Sequence, residues 1–378
     1  EDFYKACRAA SILGTLQAGY TDFKFLSDTS KKIFDREALL GVSITGWMNN
    51  PDILFDENIL EKGAKIVKEV NREVAQIIGI NAAARTTCVK PSGNASVLLQ
   101  TASGIHAEHS NMYIRNVQMN KESEITQAIM KTNPYMVEDS VWSAGGTDVV
   151  VSFPILPKKG SMYKDDLLGV KHLELVKKAQ KHWVEAGTNE DLCADKGVRH
   201  NVSNTIIVDD WDEVEKYVFE NRHSFAGISF LAMSGDKDYN QAPNTAVITA
   251  KDMVKKYGNA AVFASGMVVD ALKCFNNLWD ACSTAKGFGE DLSLESSENA
   301  MKRDWIRRFG KFADNYLDSD TILAEHCLKD AYLLHKWNKI QSTLKTVDWK
   351  EDIKERKYTD VDTLAAAACA GGACEIDF

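Results

Sequence analysis

Three stretches of sequence decide the fold: Leu40-Gly-Val-Ser-Ile-Thr45, Asn58–Ile78 (NILEKGAKIVKEVNREVAQII) and Thr86-Thr-Cys-Val89. The first and third segments are short apolar runs rich in β-branched residues, and such runs predict strands. The second predicts an amphipathic helix, because its apolar residues recur with a period of 3.6. That apolar stripe consists of Leu60, Ala64, Val67, Val70, Val74 and Ile77. A strand, a helix and a second strand in this order predict parallel pairing through a crossover.

The same alternation continues along the first two-thirds of the chain. Further strands are predicted at Val149–Phe153, Val202–Val208 and Ala226–Leu231, and a further helix at Leu167–Trp183. The strand segments are apolar on both faces, as expected for strands that helices cover on both sides. The sequence therefore predicts an α/β fold with a parallel sheet.

The strand signals stop near Asp252. Helices are predicted at Ala260–Ala285, Ser297–Tyr316 and Thr321–Leu344. We therefore divide the chain into an α/β part over residues 1–250, a helical region over 251–345 and a mobile tail over 346–378.

Composition excludes several classes of protein. The chain has 378 residues, of which 44% are hydrophobic and 26% charged, as in a soluble globular protein. Its longest uncharged stretch, Pro91–Ala107, is rich in Ser, Gly, Thr and Asn, so we expect no membrane span. A formal net charge of -9 disfavours nucleic-acid binding, which needs a basic face. With no signal-peptide pattern, the expected location is the cytoplasm.

Six of the eight cysteines are scattered singly, and we interpret them as buried small hydrophobic residues of a reducing compartment. They are Cys7, Cys88, Cys193, Cys274, Cys282 and Cys327.

Cys369-Ala-Gly-Gly-Ala-Cys374 is a close cysteine pair at the end of the chain. Its two central glycines permit the tight backbone path that a disulfide needs. A disulfide there would close too small a loop to stabilise the fold, and the tail lacks two further zinc ligands. Reversible thiol–disulfide exchange is the favoured role, with an accidental pair as the alternative. A flexible connection from Lys345 would let the pair reach over roughly 25–30 Å.

A second candidate site is the segment Pro91-Ser-Gly-Asn-Ala-Ser96, which follows a predicted strand. It predicts a sharp turn and then a helix that starts with capping residues. The amides at such a start, with hydroxyls alongside, would suit a phosphate. The segment lacks the spacing of a Walker loop. From the residues alone, an ordinary capped turn through Gly93 and Ala95 is an equal alternative.

Two further motifs carry less information. His106 and His109 have a spacing that could serve a metal, but no nearby Cys or carboxylate pattern completes a site, so no metal is predicted. Gln241-Ala-Pro243 reads as a loop that follows a strand.

Several of these segments occur in the order found in class II, adenosylcobalamin-dependent ribonucleotide reductases, and the chain resembles their monomeric triphosphate-reductase branch. The matching segments are Gly41-Val-Ser-Ile-Thr-Gly46, Lys90-Pro-Ser-Gly-Asn-Ala-Ser-Val-Leu-Leu99, Thr101-Ala-Ser-Gly-Ile-His106, Tyr113-Ile-Arg115, His200-Asn-Val-Ser-Asn-Thr205, Gln241-Ala-Pro243 and the terminal cysteine pair. The Lys-Pro-Ser-Gly segment with the following Ser-Gly-Ile-His is the specific part of the match.

The resemblance implies half of a ten-stranded α/β barrel over residues 1–250. In the family, the radical cysteine lies in an Asn-x-Cys-x-Glu finger loop, and no cysteine of this chain has those neighbours. The resemblance therefore implies the C-terminal portion of the enzyme, completed by an N-terminal chain or by preceding sequence. Asn94 stands where the family usually has Thr, and the helical region 251–345 receives no role.

The implied activity is reduction of a ribonucleotide to a 2′-deoxyribonucleotide, with adenosylcobalamin as the radical source. Residues 91–96 would bind the substrate phosphates. Cys369 and Cys374 would re-reduce active-site cysteines and would then be reduced by a thioredoxin-like protein. A class I large-subunit fragment and a catalytically silent, reductase-derived interaction protein are the alternatives.

Overall fold

A computed structural model of the chain describes residues 1–92, 94–233, 239–287 and 297–352. The chain divides into two compact units, each made of two stretches of sequence. Unit 1 consists of Glu1–Asn111 and Pro157–Gly235, and unit 2 of Met112–Leu156 and Asp236–Phe378. This division by contacts differs from the predicted boundary at residue 250, because residues 112–156 group with the later helices. The three-part division remains a prediction.

The described residues form helices and short strands that are interspersed up to β8, and helices alone after it. The α-helices are α1 Asp2–Ala18, α2 Asp28–Glu37, α3 Pro51–Leu54, α4 Glu57–Ile78, α5 Asn94–Leu98, α6 Glu124–Thr132, α7 Gly169–Ala179, α8 Trp211–Glu220, α9 Ala250–Tyr257, α10 Ala260–Cys274, α11 Leu278–Gly287, α12 Ser297–Tyr316, α13 Thr321–Thr343 and α14 Trp349–Asp352. The strands are β1 Val42–Ser43, β2 Thr87–Cys88, β3 Tyr113–Asn120, β4 Val137–Asp139, β5 Asp148–Ile155, β6 Ile206–Val208, β7 Phe230–Ala232 and β8 Asn244–Ala246. Within the described ranges, no helix is both long and apolar enough to cross a bilayer.

Helix α4 confirms the central prediction. It begins where the Asp56 carboxylate accepts a hydrogen bond from the Ile59 amide, and it ends at Gly79, whose φ of 76° is left-handed. Its predicted core residues Leu60, Ala64, Val67 and Val70 are buried. Ile77 was predicted to be in the core but is 81% exposed, because it lies in the last turn, beyond the packed part of the helix.

Unit 1 contains the predicted parallel strands, in shortened form. β1 pairs in parallel with β2, and β6 pairs in parallel with β7. A parallel bridge between Val89 and Val202 links the two pairs. Trp183, on a π-helical turn that extends α7, is fully buried and donates its indole N–H to the Cys88 carbonyl at the end of β2. The mixed α/β class is confirmed. The parallel sheets have only two strands each, so the half barrel remains a prediction.

Unit 2 corrects the predicted parallel arrangement. Its sheet has the order β4-β5-β3-β8, and every pair in it is antiparallel. The strand predicted at Val149–Phe153 is correct as β5, but its direction relative to its neighbours was wrong. A continuous apolar run indicates burial on both faces and carries no information about the direction of the adjacent strand. The neighbour β3 was missed because polar residues interrupt it.

The helices of unit 2 follow the predictions except in one place. α12 has the predicted bounds, and α13 ends one residue early. The helix predicted at Ala260–Ala285 is instead two helices, α10 and α11. The break occurs because the Asn277 side chain accepts a hydrogen bond from the Asp280 amide and so caps a new helix.

Candidate functional site

The turn after β2 has the predicted order of strand, turn and helix. Ser92 is half-buried with a left-handed φ of 62°, and Ser96 is 3% exposed on α5. Pro91 and Ala95 are exposed, Gly93 lies outside the described residues, and Asn94 is the first residue of α5. The Ala95 amide already donates to the Ser92 carbonyl, and α5 has only five residues. The turn therefore offers fewer backbone N–H donors to a bound anion than the sequence suggests. A candidate anion site here depends more on side-chain hydroxyls.

Three hydroxyl groups from three separate segments meet at this turn. Ser92 Oγ lies 2.8 Å from Thr45 Oγ1 and 3.5 Å from Ser103 Oγ. Thr45 Oγ1 also donates to the Ala102 carbonyl and accepts from the Gly104 amide at 3.0 Å. The segments 41–46, 90–96 and 101–106 thus meet at three side chains. We call Thr45, Ser92 and Ser103 the hydroxyl cluster.

Two glycines allow this close approach. Gly104 has a φ of 52°, and a Cβ atom there would lie 2.7 Å from the Lys90 carbonyl oxygen. Gly46 has a φ of 75°, and a Cβ atom there would lie 2.1 Å from Thr101 Oγ1. Both positions combine a left-handed backbone with no room for a side chain, so glycine is required at each.

Asn49 fixes the residues that directly precede Ser103 of the hydroxyl cluster. Its buried carboxamide oxygen accepts hydrogen bonds from Thr101 Oγ1 and, at 2.6 Å, from the Ala102 amide. Its Nδ2 donates to Glu108 Oε1 at 2.7 Å and to Ser161 Oγ at 3.0 Å. Both acceptor and both donor positions are used, so the side chain fixes the 101–108 segment.

We expect Asn49→Asp to destabilise the chain by about 2–4 kcal/mol at pH 7, because it puts a second carboxylate oxygen against Glu108 in a buried site. Urea unfolding at pH 7 measures this difference. Asn81→Asp, at an exposed position, is the control. Equal stability of Asn49→Asp and wild type at pH 7 would contradict this role for Asn49.

His106 joins the hydroxyl cluster to the segment His200–Thr205. Its Nε2 accepts from the Thr205 amide at 3.1 Å, so the proton of the neutral ring is on Nδ1, which donates to the Ser103 carbonyl at 3.0 Å. His200 Nδ1 donates to the Thr87 carbonyl at the start of β2. Burial lowers the pKa of both rings. These histidines therefore act here as neutral hydrogen-bonding links.

His172 contacts the segment 101–106 at Ile105 and His106. Its Nε2 donates to the Ile105 carbonyl at 2.9 Å, and its ring meets that of His106 edge-on at 6.2 Å between centroids. Burial lowers the pKa of His172 from 6.5 to about 4. Within the described residues, no group of three or more His, Cys, Asp or Glu side chains is placed to hold a metal.

The lowered pKa of His172 makes the stability of the fold sensitive to acid. The unfolded ring binds a proton near pH 6.5 and the folded ring only near pH 4, so stability is full above pH 6.5 and falls as the pH drops through this window. The expected loss is about 3 kcal/mol. Urea unfolding from pH 7.5 to pH 4.5 measures it. His172→Gln should be less stable at pH 7.5 but should lose less on acidification, and an unchanged pH slope would contradict the assignment.

The two remaining family segments meet within unit 2. Tyr113-Ile-Arg115 begins β3 and pairs antiparallel with β8, which follows Gln241-Ala-Pro243 directly. The Asn116 amide donates to the Pro243 carbonyl at 2.9 Å. Gln241 has a left-handed φ of 61°, accepts from the Val141 amide and donates to the Asp139 carbonyl. The Gln-Ala-Pro segment therefore fixes a loop as well as following a strand.

The described cysteines confirm the structural interpretation for five of six positions. Cys7, Cys88, Cys193, Cys282 and Cys327 are buried, and Cys274 is half-buried. Burial raises the pKa of the Cys88 thiol to about 11 and that of Cys7, Cys282 and Cys327 to about 12, so these groups are poor nucleophiles. Cys369 and Cys374 lie outside the described residues, and their redox role remains a prediction.

Sequence analysis missed part of this site. Thr45 and Ser103 lie inside family segments, and that position was the available signal for them. Asn49 had none, because an Asn-Asn pair after Trp47-Met48 looks like any loop sequence. The structure brings Ser92 close to Thr45 and Ser103, and the Ser96 carbonyl accepts from the Thr101 amide at 3.0 Å.

The fold is similar to that of a known class of enzyme. No family model matches the chain. The structure is similar to the crystal structure of a B12-dependent, class II ribonucleotide reductase, with a TM-score of 0.55, over 65% of this chain and 36% of that chain at 16% sequence identity.

Two curated relatives agree with that class. A probable adenosylcobalamin-dependent ribonucleoside-triphosphate reductase of Dictyostelium discoideum is 28% identical over 191 residues, which is 49% of this chain and 24% of the relative. The adenosylcobalamin-dependent ribonucleoside-triphosphate reductase of Euglena gracilis is 24% identical over 224 residues, 58% of this chain and 28% of the relative. The chain thus spans about a quarter of the length of both relatives. The resemblance to class II ribonucleotide reductases is confirmed.

Proposed function

We propose that this chain is the C-terminal part of an adenosylcobalamin-dependent ribonucleoside-triphosphate reductase of the cytoplasm. The observation that carries the proposal is the convergence of the segments 41–46, 90–96, 101–106 and 200–205 through the hydroxyl cluster and His106. These segments occur in family order, and relatives with this activity match about half of the chain. The overall reaction converts a ribonucleotide and a dithiol into a 2′-deoxyribonucleotide, a disulfide and water.

The proposed role of residues 91–96 is to hold the substrate phosphates. The hydroxyls of Ser92 and Ser103 donate to the Pro91 carbonyl and that of Thr45 to the Ala102 carbonyl. On binding, these O–H groups would turn instead toward phosphate oxygens, which accept charge-assisted hydrogen bonds. Pro91, Gly93 and Asn94 would let the backbone come close, with Ala95 and Ser96 starting the helix. The short α5 adds little dipole, so the hydroxyl cluster carries the greater part of the proposal.

Replacement of Gly93 by Val tests this role, because a side chain there would obstruct the approach of a phosphate. We expect Gly93→Val to weaken ribonucleoside-triphosphate binding by about 10-fold or more, with folding little changed. Isothermal titration of the assembled enzyme measures the affinity. Gly145→Val is the matched control, since a Cβ atom at Gly145 meets only an ordinary contact 3.7 Å from Thr147 Cγ2. Unchanged affinity in a folded Gly93→Val protein would remove the assignment.

Cys369 and Cys374 are proposed to return electrons to the active site. Their dithiol would attack the disulfide left by substrate reduction, become oxidised to a disulfide, and leave two thiols in the active site. A thioredoxin-like protein would then reduce the Cys369–Cys374 disulfide.

The proposed enzyme needs a second component for radical formation. When bound, adenosylcobalamin would supply the first radical through homolysis of its carbon–cobalt bond. Among the described residues, no side chain or cavity is assigned to the cobalamin. The radical cysteine would come from an N-terminal reductase chain or from preceding sequence, because these 378 residues lack the Asn-x-Cys-x-Glu segment.

A further inference from the structure

The antiparallel sheet of unit 2 has one apolar face and one face with a cavity. Along β3, Met119 packs against a core that includes Val149 and Val151. On the opposite face, a cavity of about 420 Å³ lies over Asn116 and Gln118, which are two residues apart and therefore point to the same side. The lining residues are Asn116, Gln118, Trp142, Val150, Tyr239, Gln241 and Pro243.

Two exposed aromatic side chains form the walls of this cavity. Trp142 is 61% exposed and Tyr239 is 48% exposed, and their rings meet edge-on with centroids 5.9 Å apart. Tyr and Trp are common at binding surfaces because each combines a large apolar ring with a hydrogen-bonding group. The indole N–H of Trp142 donates to the Asn240 carbonyl at 3.1 Å. Together with the bond from the Val141 amide to Gln241 Oε1, this fixes the walls without a ligand.

The floor of the cavity is polar but uncharged. Gln118 donates its Nε2 to Asp148 Oδ2 at 2.8 Å, which directs its carboxamide and leaves Oε1 as an acceptor. None of the described lining residues is charged, but two carboxylates accept hydrogen bonds from the lining, Asp148 from Gln118 and Glu138 from Gln241 at 3.2 Å. Glu138 also pairs with Lys336 at 2.9 Å. The described lining includes no cationic side chain for a phosphate, and a phosphate would be repelled by the neighbouring carboxylates. The cavity therefore suits a neutral ligand.

We propose that this cavity binds an uncharged nucleoside. The flat base would stack against Trp142 or Tyr239, as bases do on aromatic side chains in many proteins. The amino group of the base or a ribose hydroxyl would donate to Gln118 Oε1. The volume lies within the range of small-molecule sites and accommodates one nucleoside. This inference does not depend on the proposed reductase activity, because every residue that carries it lies in unit 2.

Titration of the full chain with adenosine, adenosine 5′-monophosphate and indole tests the proposal by calorimetry. We expect adenosine to bind, the monophosphate to bind several-fold more weakly because of the carboxylates, and indole to bind more weakly because it lacks the ribose and the polar base edge. Trp142→Ala should weaken adenosine binding by about 10-fold. Gln118→Ala, an exposed substitution that leaves the fold intact, should weaken it several-fold.

Trp211→Ala is the matched control, since it removes a similarly exposed tryptophan from unit 1. Ser92→Ala separates the two nucleotide proposals, because it changes the hydroxyl cluster and leaves the unit 2 cavity untouched. No adenosine binding at millimolar concentration, equal binding by Trp142→Ala and wild type, or indole binding as tight as adenosine would each overturn the proposal. Loss of adenosine binding in Ser92→Ala with Trp142→Ala unaffected would move the site to unit 1 and overturn it as well.

Discussion

The purified chain is expected to reduce no ribonucleotide until a polypeptide with the Asn-x-Cys-x-Glu segment is added. Hydrogen abstraction from the ribose needs a thiyl radical, and no cysteine of this chain has the required neighbours. The buried thiols are enclosed by the fold and are not exposed to a ribose, so they are no substitutes. The measurement is deoxynucleotide formation with adenosylcobalamin and dithiothreitol, for the chain alone, the second polypeptide alone and the mixture.

The mixture should be active only with adenosylcobalamin present. Activity that instead requires a separate metal-containing subunit would favour the class I alternative. Inactivity of a stable complex, with nucleotide still bound, would favour a silent, reductase-derived interaction protein. Turnover by the single chain with cobalamin and nucleotide would refute the need for a second polypeptide.

Cys374→Ser is expected to stop the assembled enzyme after about one turnover when a thioredoxin-type protein is the reductant. The first turnover should be normal, because the active-site thiols start reduced. Later turnovers need the internal dithiol, which a single cysteine cannot provide. Dithiothreitol should restore part of the rate, since a small reductant reaches the site directly. Single-turnover and steady-state rates with both reductants measure the effect.

Cys274→Ser is the control for this experiment, because it changes a half-buried cysteine within a helix of unit 2. Cys369→Ser should behave as Cys374→Ser does. A structural role for the pair predicts a different pattern, with lower stability and no dependence on the choice of reductant. Equal steady-state rates of wild type and Cys374→Ser with the protein reductant would contradict the shuttle.

Local pattern was sufficient for the long helices and insufficient for the sheet of unit 2. Helix α4 could be predicted because its capping residues and its apolar period lie within the helix itself. Strand β5 could be predicted as a strand for the same reason. Its antiparallel pairing could not, since the partners β3 and β4 are selected by contacts that an apolar run does not encode.

The sequence by itself determined the α/β class, the order of the family segments and the likeness to class II reductases. Only the tertiary structure decided that Thr45 meets Ser92, 47 residues away, and that the Thr205 amide meets His106, 99 residues away. Such hydrogen bonds depend on the path of the chain between the partners, and each needs its donor within about 3 Å of its acceptor. A motif specifies its own side chains, whereas packing of the whole unit specifies which of them touch.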